Sequence, residues 1–225
     1  MQLNYLIDTF FNLRVMQQYL PKIVEGFFIT IEIAVAVVVT GIAAGLALVL
    51  VRAFRMKAVN FFIVMIVDML RAMPPLVLII TLYFALPTVG IKMTAWVSTW
   101  LALSLVLMAF ADEIFWAGIL AIPKGQWEAA RSTGLSMWQA LTNVVMPQAI
   151  RMTIPPLTNR TIAITKGTAL GAVVSVGEIL YQAQTAYAFS YNASPLVLGA
   201  MAYLVLFIPV VILGRWIETR FAWKQ

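Results

Sequence analysis

The chain has 225 residues, of which 63% are hydrophobic and 11% are charged, and its mean hydropathy is +0.95. A soluble domain carries about 25% charged residues, so this composition excludes an ordinary water-facing surface and favours a multi-pass membrane protein. The net charge of +6 is compatible with nucleic-acid binding. In a membrane protein, however, Lys and Arg act as topology signals, and we expect no nucleic-acid partner.

The missing residue types narrow the chemistry. The chain has no cysteine and no histidine, which excludes disulfides, Cys/His metal sites and catalysis by either residue. The sequence also lacks the glycine-rich P-loop that cradles the phosphates of ATP. We therefore expect no catalytic residue, no metal ligand and no cofactor in this chain. No secretory signal peptide is expected, because the N-terminus has no basic region and carries Asp8 early.

Residues 2–18 predict an amphipathic helix that lies on the outer membrane interface, within an interfacial element over 1–20. Its apolar positions recur at helical spacing: Leu3, Leu6, Ile7, Phe10 and Leu13. The alternative is a frayed terminal segment.

Five later segments are candidate membrane spans within a single domain of residues 1–225. Four of them are long and apolar: 23–51, 58–86, 95–120 and 196–214. The fifth, 154–186, is weaker because it carries Arg160, Lys166 and Glu178. With the N-terminus outside, five spans place most of the basic residues on the cytoplasmic side, whereas four spans do not. The sequence therefore predicts five spans, N-out and C-in.

A polar segment, 122–151, interrupts the apolar chain and predicts two short amphipathic helices. Glu128, Ala129 and Ala130 belong to the first helix, Gly134 permits the turn between the two, and Pro147 is expected to end the second. Apolar side chains on this segment are expected to contact a partner or the underside of the membrane: Trp127, Leu135, Met137, Trp138 and Leu141.

The spacing of Glu128-Ala129-Ala130, Gly134 and Pro147 resembles the EAA loop of ABC importer permeases, in the polar amino acid branch of that family. The resemblance extends from about Gly26 to Trp223. Other blocks follow in family order: 70–76, 83–87, 109–114, 147–151, 155–159 and 166–170. Three positions depart from the family pattern: Trp116, Gly167 and Ala169.

The resemblance implies an all-α, integral membrane, MetI-like permease of the bacterial inner membrane, surrounded by lipid. It implies a second permease subunit, identical or homologous, and ABC ATPase subunits that hold ATP and Mg. It also implies a periplasmic or lipid-anchored solute-binding protein. In this family the ATPase is coupled through the EAA loop, here Glu128, Ala129, Ala130, Gly134 and Pro147. The solute would be a polar amino acid or a similar molecule, moved by alternating access.

Ionisable, hydroxyl-bearing and helix-breaking residues inside the spans are candidates for the substrate path: Asp68, Arg71, Pro74, Glu113, Thr168 and Glu178. Asp68 and Arg71 share a helix face, so they either form a structural pair or let Arg71 hold a substrate carboxylate. Asp112 and Glu113 are adjacent and point about 100° apart, so they cannot both face one pocket. Of the two, Glu113 is the better candidate.

Two other functions are compatible with charges inside spans. A self-contained channel or secondary transporter is the main alternative, although an odd number of spans without a detectable repeat is unusual for it. A channel or secondary transporter also has no evident need for the structured polar segment 122–151. An intramembrane enzyme is the least supported reading, because neither His nor Cys is available.

Overall fold

The computed structural model describes residues 2–221, and in that range it contains helices and connecting turns but no strand. Ten α-helices follow in chain order: α1 Gln2–Phe10, α2 Leu13–Arg52, α3 Lys57–Ala72, α4 Pro75–Ile80, α5 Ala95–Ala121, α6 Lys124–Ser132, α7 Met137–Ala140, α8 Met146–Lys166, α9 Ile179–Ser190 and α10 Ser194–Phe221. Trp223, where the resemblance noted above ends, lies outside the described residues.

Three of these helical stretches are long and apolar enough to cross a membrane: Asn4–Arg52, α5 and α10. Two bent pairs also pass the same test, which gives up to five spans if each pair is one span. The bent pairs are α3 with Pro75–Val89, and Met137–Val174 with α9. The bounds of α5 nearly coincide with the predicted span 95–120, whereas α10 is longer than the predicted span 196–214.

The chain divides into two compact units. The first unit contains the described residues up to Val37, together with Pro74–Leu103 and Thr165–Val211. The second unit contains Val38–Met73, Ser104–Ile164 and the described residues from Ile212 onward.

The N-terminal helix is shorter than the sequence predicts. α1 ends at Phe10, and residues 13–18 belong to α2, because Asn12 separates the two helices as an N-cap. The backbone N–H of Val15 donates to Asn12 Oδ1 at 3.2 Å. Tyr5, Leu6 and Ile7 are exposed, as an interfacial helix requires.

The predicted second span, 58–86, is not one continuous helix. α3 ends at Ala72, and Met73 and Pro74 adopt extended backbone angles before Pro75 opens α4. Two prolines in succession remove two backbone donors, and each disfavours a helical conformation in the residue before it. After α4 the chain forms a π-helical turn, Thr81–Ala85, and a 3₁₀ turn, Leu86–Val89.

The polar segment forms the predicted first helix as α6, and Gly134 then turns the chain with φ +87°. Ser136 opens α7 with a capping box: its hydroxyl accepts from the N–H of Gln139, whose side chain accepts from the Ser136 N–H. The prediction that Pro147 ends the second helix is wrong. A π-helical turn, Leu141–Val145, precedes α8, and helical structure continues through Pro147 to Lys166. The wider turn alters the backbone bonding just ahead of the proline ring.

The weak segment 154–186 is also interrupted. α8 contains Pro155 and Pro156, and it continues into an eight-residue 3₁₀ helix, Gly167–Val174. Ser175 then takes a left-handed conformation with φ +64°, and α9 begins after Glu178. Runs of 3₁₀ helix longer than three or four residues are uncommon and mark a change in helical winding.

The core of the second unit holds α2 against α5 and the end of the polar segment. Its buried side chains are Val49, Ala53, Ala111, Phe115, Ile119, Ile122, Leu141, Val145, Met146 and Ala149. Gly45 lets α2 approach α5 closely, since a Cβ there would lie 2.6 Å from the Cβ of Ala111. Leu141 is 3% exposed in this core, so its predicted contact with a partner is wrong.

Candidate functional site: a charged row and its cavity

A buried ion pair joins the end of α2 to α5 in the second unit. The Arg52 guanidinium donates to Asp112 Oδ2, and both residues are buried. The same guanidinium lies over the Trp116 ring, 4.7 Å from its centroid. Two charges in an apolar core are stable only when they are paired, so the ion pair holds α2 against α5. The Trp116 ring adds a cation–π contact to the guanidinium.

Glu113 extends this pair into a longer row. Its Oε2 lies 3.6 Å from Nη1 of Arg52 and 3.6 Å from Nη1 of Arg71. Arg71 Nη1 also donates to Asp68 Oδ1 at 3.3 Å, so these two residues of one helix face are in contact. The resulting charged row runs Asp112, Arg52, Glu113, Arg71 and Asp68, with signs that alternate along its length. Its first end is buried, whereas the Glu113 side chain is 41% exposed.

Glu113 and Arg71, in the exposed part of the row, line a cavity of about 600 Å³, which we call the Arg71 cavity. Its lining residues are Arg71, Phe110, Glu113, Ile114, Pro156, Asn159, Arg160 and Ala163. The Arg160 guanidinium lies 3.8 Å from the Phe110 ring centroid, and that of Arg71 lies 5.5 Å from it. Two cations, one carboxylate and an aromatic ring therefore meet in one cavity of a size suited to a small polar ligand.

Part of the polar segment, including Glu128, lines a second cavity of about 410 Å³, which we call the α6 cavity. It is lined by Arg55, Ile119, Leu120, Ile122, Lys124, Trp127, Glu128, Arg131 and Met137. Glu128, Ala129 and Gly134 are exposed, whereas Ala130 is buried. The ring of Trp138 stacks on Phe54, with centroids 5.4 Å apart and planes at 6°. This stack ties α7 to the turn that follows α2.

The remaining substrate-path candidates belong to the first unit. Glu178 is buried and caps α9: its Oε1 accepts from the Tyr181 N–H at 2.7 Å, and its Oε2 accepts from the Tyr203 hydroxyl. Thr168 is also buried, and its hydroxyl donates to the Thr165 carbonyl oxygen at 2.9 Å. Pro74 lies at the break before α4. Glu178 and Thr168 therefore have internal partners.

The structure thus brings together Asp68, Arg71 and Glu113, and it keeps Asp112 apart from the Arg71 cavity. The prediction that neighbouring Asp112 and Glu113 face different surroundings agrees with their burial, although Arg52 reaches both. Two cations of this region were not among the predicted site residues: Arg52 and Arg160. The sequence does contain one signal for Arg52: an acidic residue inside an apolar run, here Asp112, needs a cationic partner from elsewhere in the chain.

The Trp116 departure has a structural role, because the ring supports the Arg52 guanidinium. Gly167 lies in the first turn of the 3₁₀ helix, where an added Cβ would lie 3.3 Å from the Leu103 side chain. Nothing in the structure explains the departure at Ala169.

Long apolar helices, two bent helix pairs and a cavity lined by charged residues are together typical of a membrane transport protein. Residues 37–223 match the family model described as "Binding-protein-dependent transport system inner membrane component". The chain belongs to this family, and it is accordingly a permease subunit and a transport component rather than an enzyme.

Individual relatives agree with this membership. The chain is 32% identical to the probable glutamine ABC transporter permease protein GlnP of Bacillus subtilis, over 91% of this chain and 95% of that protein. It is 30% identical to the arginine transport system permease protein ArtQ of the same organism, over 89% and 93%.

Two solved structures share the fold. The structure titled "Crystal structure of an amino acid ABC transporter with histidines" superposes with a TM-score of 0.83 at 29% identity, over 91% of this chain and 96% of that one. The inward-facing MetNI methionine ABC transporter superposes with a TM-score of 0.66 at 20% identity, over 94% and 99%. The second comparison extends the shared fold to a more distant permease.

Proposed function

We propose that this permease carries a polar amino acid, or a closely similar zwitterion, across the membrane. The observation that carries the proposal is the Arg71 cavity, in which a guanidinium and the Glu113 carboxylate lie 3.6 Å apart. An α-amino acid presents a carboxylate and an ammonium group at a comparable separation, so it can replace the internal ion pair with two new pairs. Relatives named for glutamine, arginine and cystine transport support this class of solute.

The solute path includes Asp68, Arg71, Pro74, Glu113, Thr168 and Glu178 in this proposal. Arg71 holds the solute carboxylate, Asp68 orients Arg71, and Glu113 accepts the ammonium group. Pro74 marks the break that leaves backbone groups available to a solute. Thr168 and Glu178 hold the backbone of the other broken span in place.

The driving force comes from separate ATPase subunits, which bind ATP and Mg. Their contact with this chain is α6, the Gly134 turn and α7, with Glu128, Ala129 and Ala130 on α6. A short helix with exposed Glu128 and Ala129 suits a groove on a partner protein. Closure of the ATPase pair moves residues 126–146, and the spans then expose the cavity alternately to either side. Pro147 lies in the first turn of α8, directly after the π-helical turn, and fixes the start of that helix.

The topology in this proposal has five spans, with the N-terminus outside and the C-terminus inside, in the bacterial inner membrane. It is supported by the distribution of Lys and Arg and by the two bent pairs, each of which counts as one span. α1 lies on the outer interface, on the side where a periplasmic or lipid-anchored solute-binding protein docks. A second permease subunit, identical or homologous, completes the path.

The coupling assignment is tested with the assembled transporter in proteoliposomes, by ATP-dependent uptake of labelled amino acids. We expect Glu128→Lys or Gly134→Trp to abolish uptake while insertion of the permease is unchanged. Gly90→Trp, outside the polar segment, is the matched control: both glycines have φ +87°, and an added side chain meets open space at each. Normal uptake by both variants contradicts the coupling role, and uptake without any ATPase supports a channel or secondary transporter instead.

A further inference from the structure

The α6 cavity has a basic side that the coupling role does not use. Three cations line it, Arg55, Lys124 and Arg131, against the single carboxylate of Glu128. Among the described residues, none of the three has a carboxylate oxygen within 4.0 Å. The cavity therefore has an excess positive charge without an internal counter-ion.

Arg55 occupies a backbone position that normally favours glycine. It follows the end of α2 with φ +56°, and its N–H donates to the Arg52 carbonyl oxygen at 3.0 Å. Glycine is the usual residue in a left-handed conformation after a helix, because it has no Cβ to clash. Arginine is less favourable than glycine in this backbone conformation, but it places a guanidinium at the cavity.

The other two cations are fixed at the two ends of α6. Lys124 is the first residue of the helix, which has no side-chain cap, so the positive end of the helix dipole adds to its charge. Arg131 lies in the last turn, where its Nη1 donates to the Leu135 carbonyl oxygen at 2.7 Å. This bond holds the Arg131 guanidinium at the turn and leaves its other donors for an anion.

The rest of the cavity is apolar and is continuous with the end of a span. Ile119 and Ile122 are buried in its wall, and Trp127 and Met137 complete the lining. Leu120, in the last turn of α5, lines the same cavity and is 60% exposed. A ligand in this cavity thus meets cations as well as an exposed apolar side chain at the end of α5.

We propose that the α6 cavity binds a glycerophospholipid with an anionic headgroup. The phosphate lies among Arg55, Lys124 and Arg131, and an acyl chain leaves past Leu120 along α5. A free phosphate ion would satisfy the cations but would leave the apolar wall unused, and a zwitterionic lipid brings its own cation into a cavity that already has an excess. Basic pockets beside membrane helices are suited to such headgroups. The bound lipid joins the turn after α2 to α6, and so it steadies the coupling segment.

The test uses the complete transporter, purified and placed in nanodiscs of phosphatidylcholine mixed with phosphatidylglycerol. Native mass spectrometry counts the phosphatidylglycerol molecules that each permease retains. We expect Arg55→Gly and Lys124→Gln each to weaken retention by about fivefold, the effect of one cation near a lipid headgroup. Arg55→Gly is informative because glycine fits the left-handed backbone, so folding is preserved. Arg151→Gln, an exposed α8 residue outside the cavity, is the control and should retain the lipid.

Unchanged phosphatidylglycerol retention in both cavity variants overturns the proposal. Loss of the ATPase from the variants, with lipid retention unchanged, also overturns it and assigns the basic side to protein docking. Loss of the lipid with the ATPase still bound supports the proposal. Because lipid retention is counted without any solute, these outcomes are independent of whether the transported solute is an amino acid.

Discussion

Two buried carboxylates, Asp112 in the second unit and Glu178 in the first, have partners of different kinds. Glu178 accepts hydrogen bonds from a backbone N–H and from the Tyr203 hydroxyl, both neutral donors. Asp112 is paired with a cation, Arg52, whose charge continues through Glu113 to the exposed Arg71. The Glu178 arrangement is closed, whereas the charged row has an open end. A carboxylate in a transport path is a good ligand-binding candidate only when its partners can be exchanged.

The largest expected effect comes from breaking the buried end of the row. Asp112→Ala leaves the Arg52 guanidinium buried without its partner, which typically costs about 3–5 kcal/mol of folding free energy. We expect little folded permease in membranes, as measured by yield and by thermal unfolding in detergent. Asp112→Asn keeps a hydrogen-bond acceptor and should be milder, and equal stability of the Ala variant and the parent protein contradicts a structural pair.

The next effect concerns the open end and is functional. Arg71→Ala removes the proposed carboxylate partner, and a charged hydrogen bond worth about 1.5–3 kcal/mol corresponds to a loss of about ten- to a hundredfold. We expect that loss in substrate-stimulated ATPase activity, with thermal stability nearly unchanged. Arg71→Lys keeps the charge but not the fork, and it should recover part of the activity. Unchanged stimulation in Arg71→Ala excludes the substrate role.

A smaller effect is expected in the closed arrangement. Tyr203→Phe removes one donor to Glu178 and keeps the ring, so the folding free energy should fall by about 1–3 kcal/mol, because a buried acceptor loses a partner. Thermal unfolding measures the loss, and the KM for uptake should stay unchanged. A selective change in KM would show that Glu178 contacts the solute itself rather than only holding the backbone beside the path.

The smallest effect is expected at Asp68. Its carboxylate is 62% exposed, and exposed ion pairs contribute about 0–1 kcal/mol. Asp68→Asn should therefore leave stability within that range, and thermal unfolding beside the Arg71→Ala variant checks this. If uptake falls as far as in Arg71→Ala, Asp68 orients the guanidinium rather than merely neutralising it.

The helices and the polar segment were largely predictable, because span length, the Gly134 turn and the double proline act locally. The α5 helix lies close to its predicted bounds, and the break before Pro75 follows from the missing donors. Pro147 misled the prediction because a π-helical turn precedes it, and nothing in the local sequence announces that turn.

The site was only partly predictable. Asp68 and Arg71 are three residues apart, so their contact follows from helical geometry. Arg52 and Asp112 are sixty residues apart, and their pairing depends on how α2 packs on α5. Arg160 reaches the Phe110 ring through the packing of α8, which spacing along the chain does not encode.

The 3₁₀ helix Gly167–Val174 has a mechanical consequence. At about 2.0 Å per residue its eight residues extend over about 16 Å, whereas the same residues in an α-helix would extend over about 12 Å. Rewinding this stretch would therefore shorten it by about 4 Å while each N–H exchanges one carbonyl partner for the next. A segment of this kind can change its length by switching between 3₁₀ and α-helical winding, and it keeps its helical hydrogen bonding in both forms.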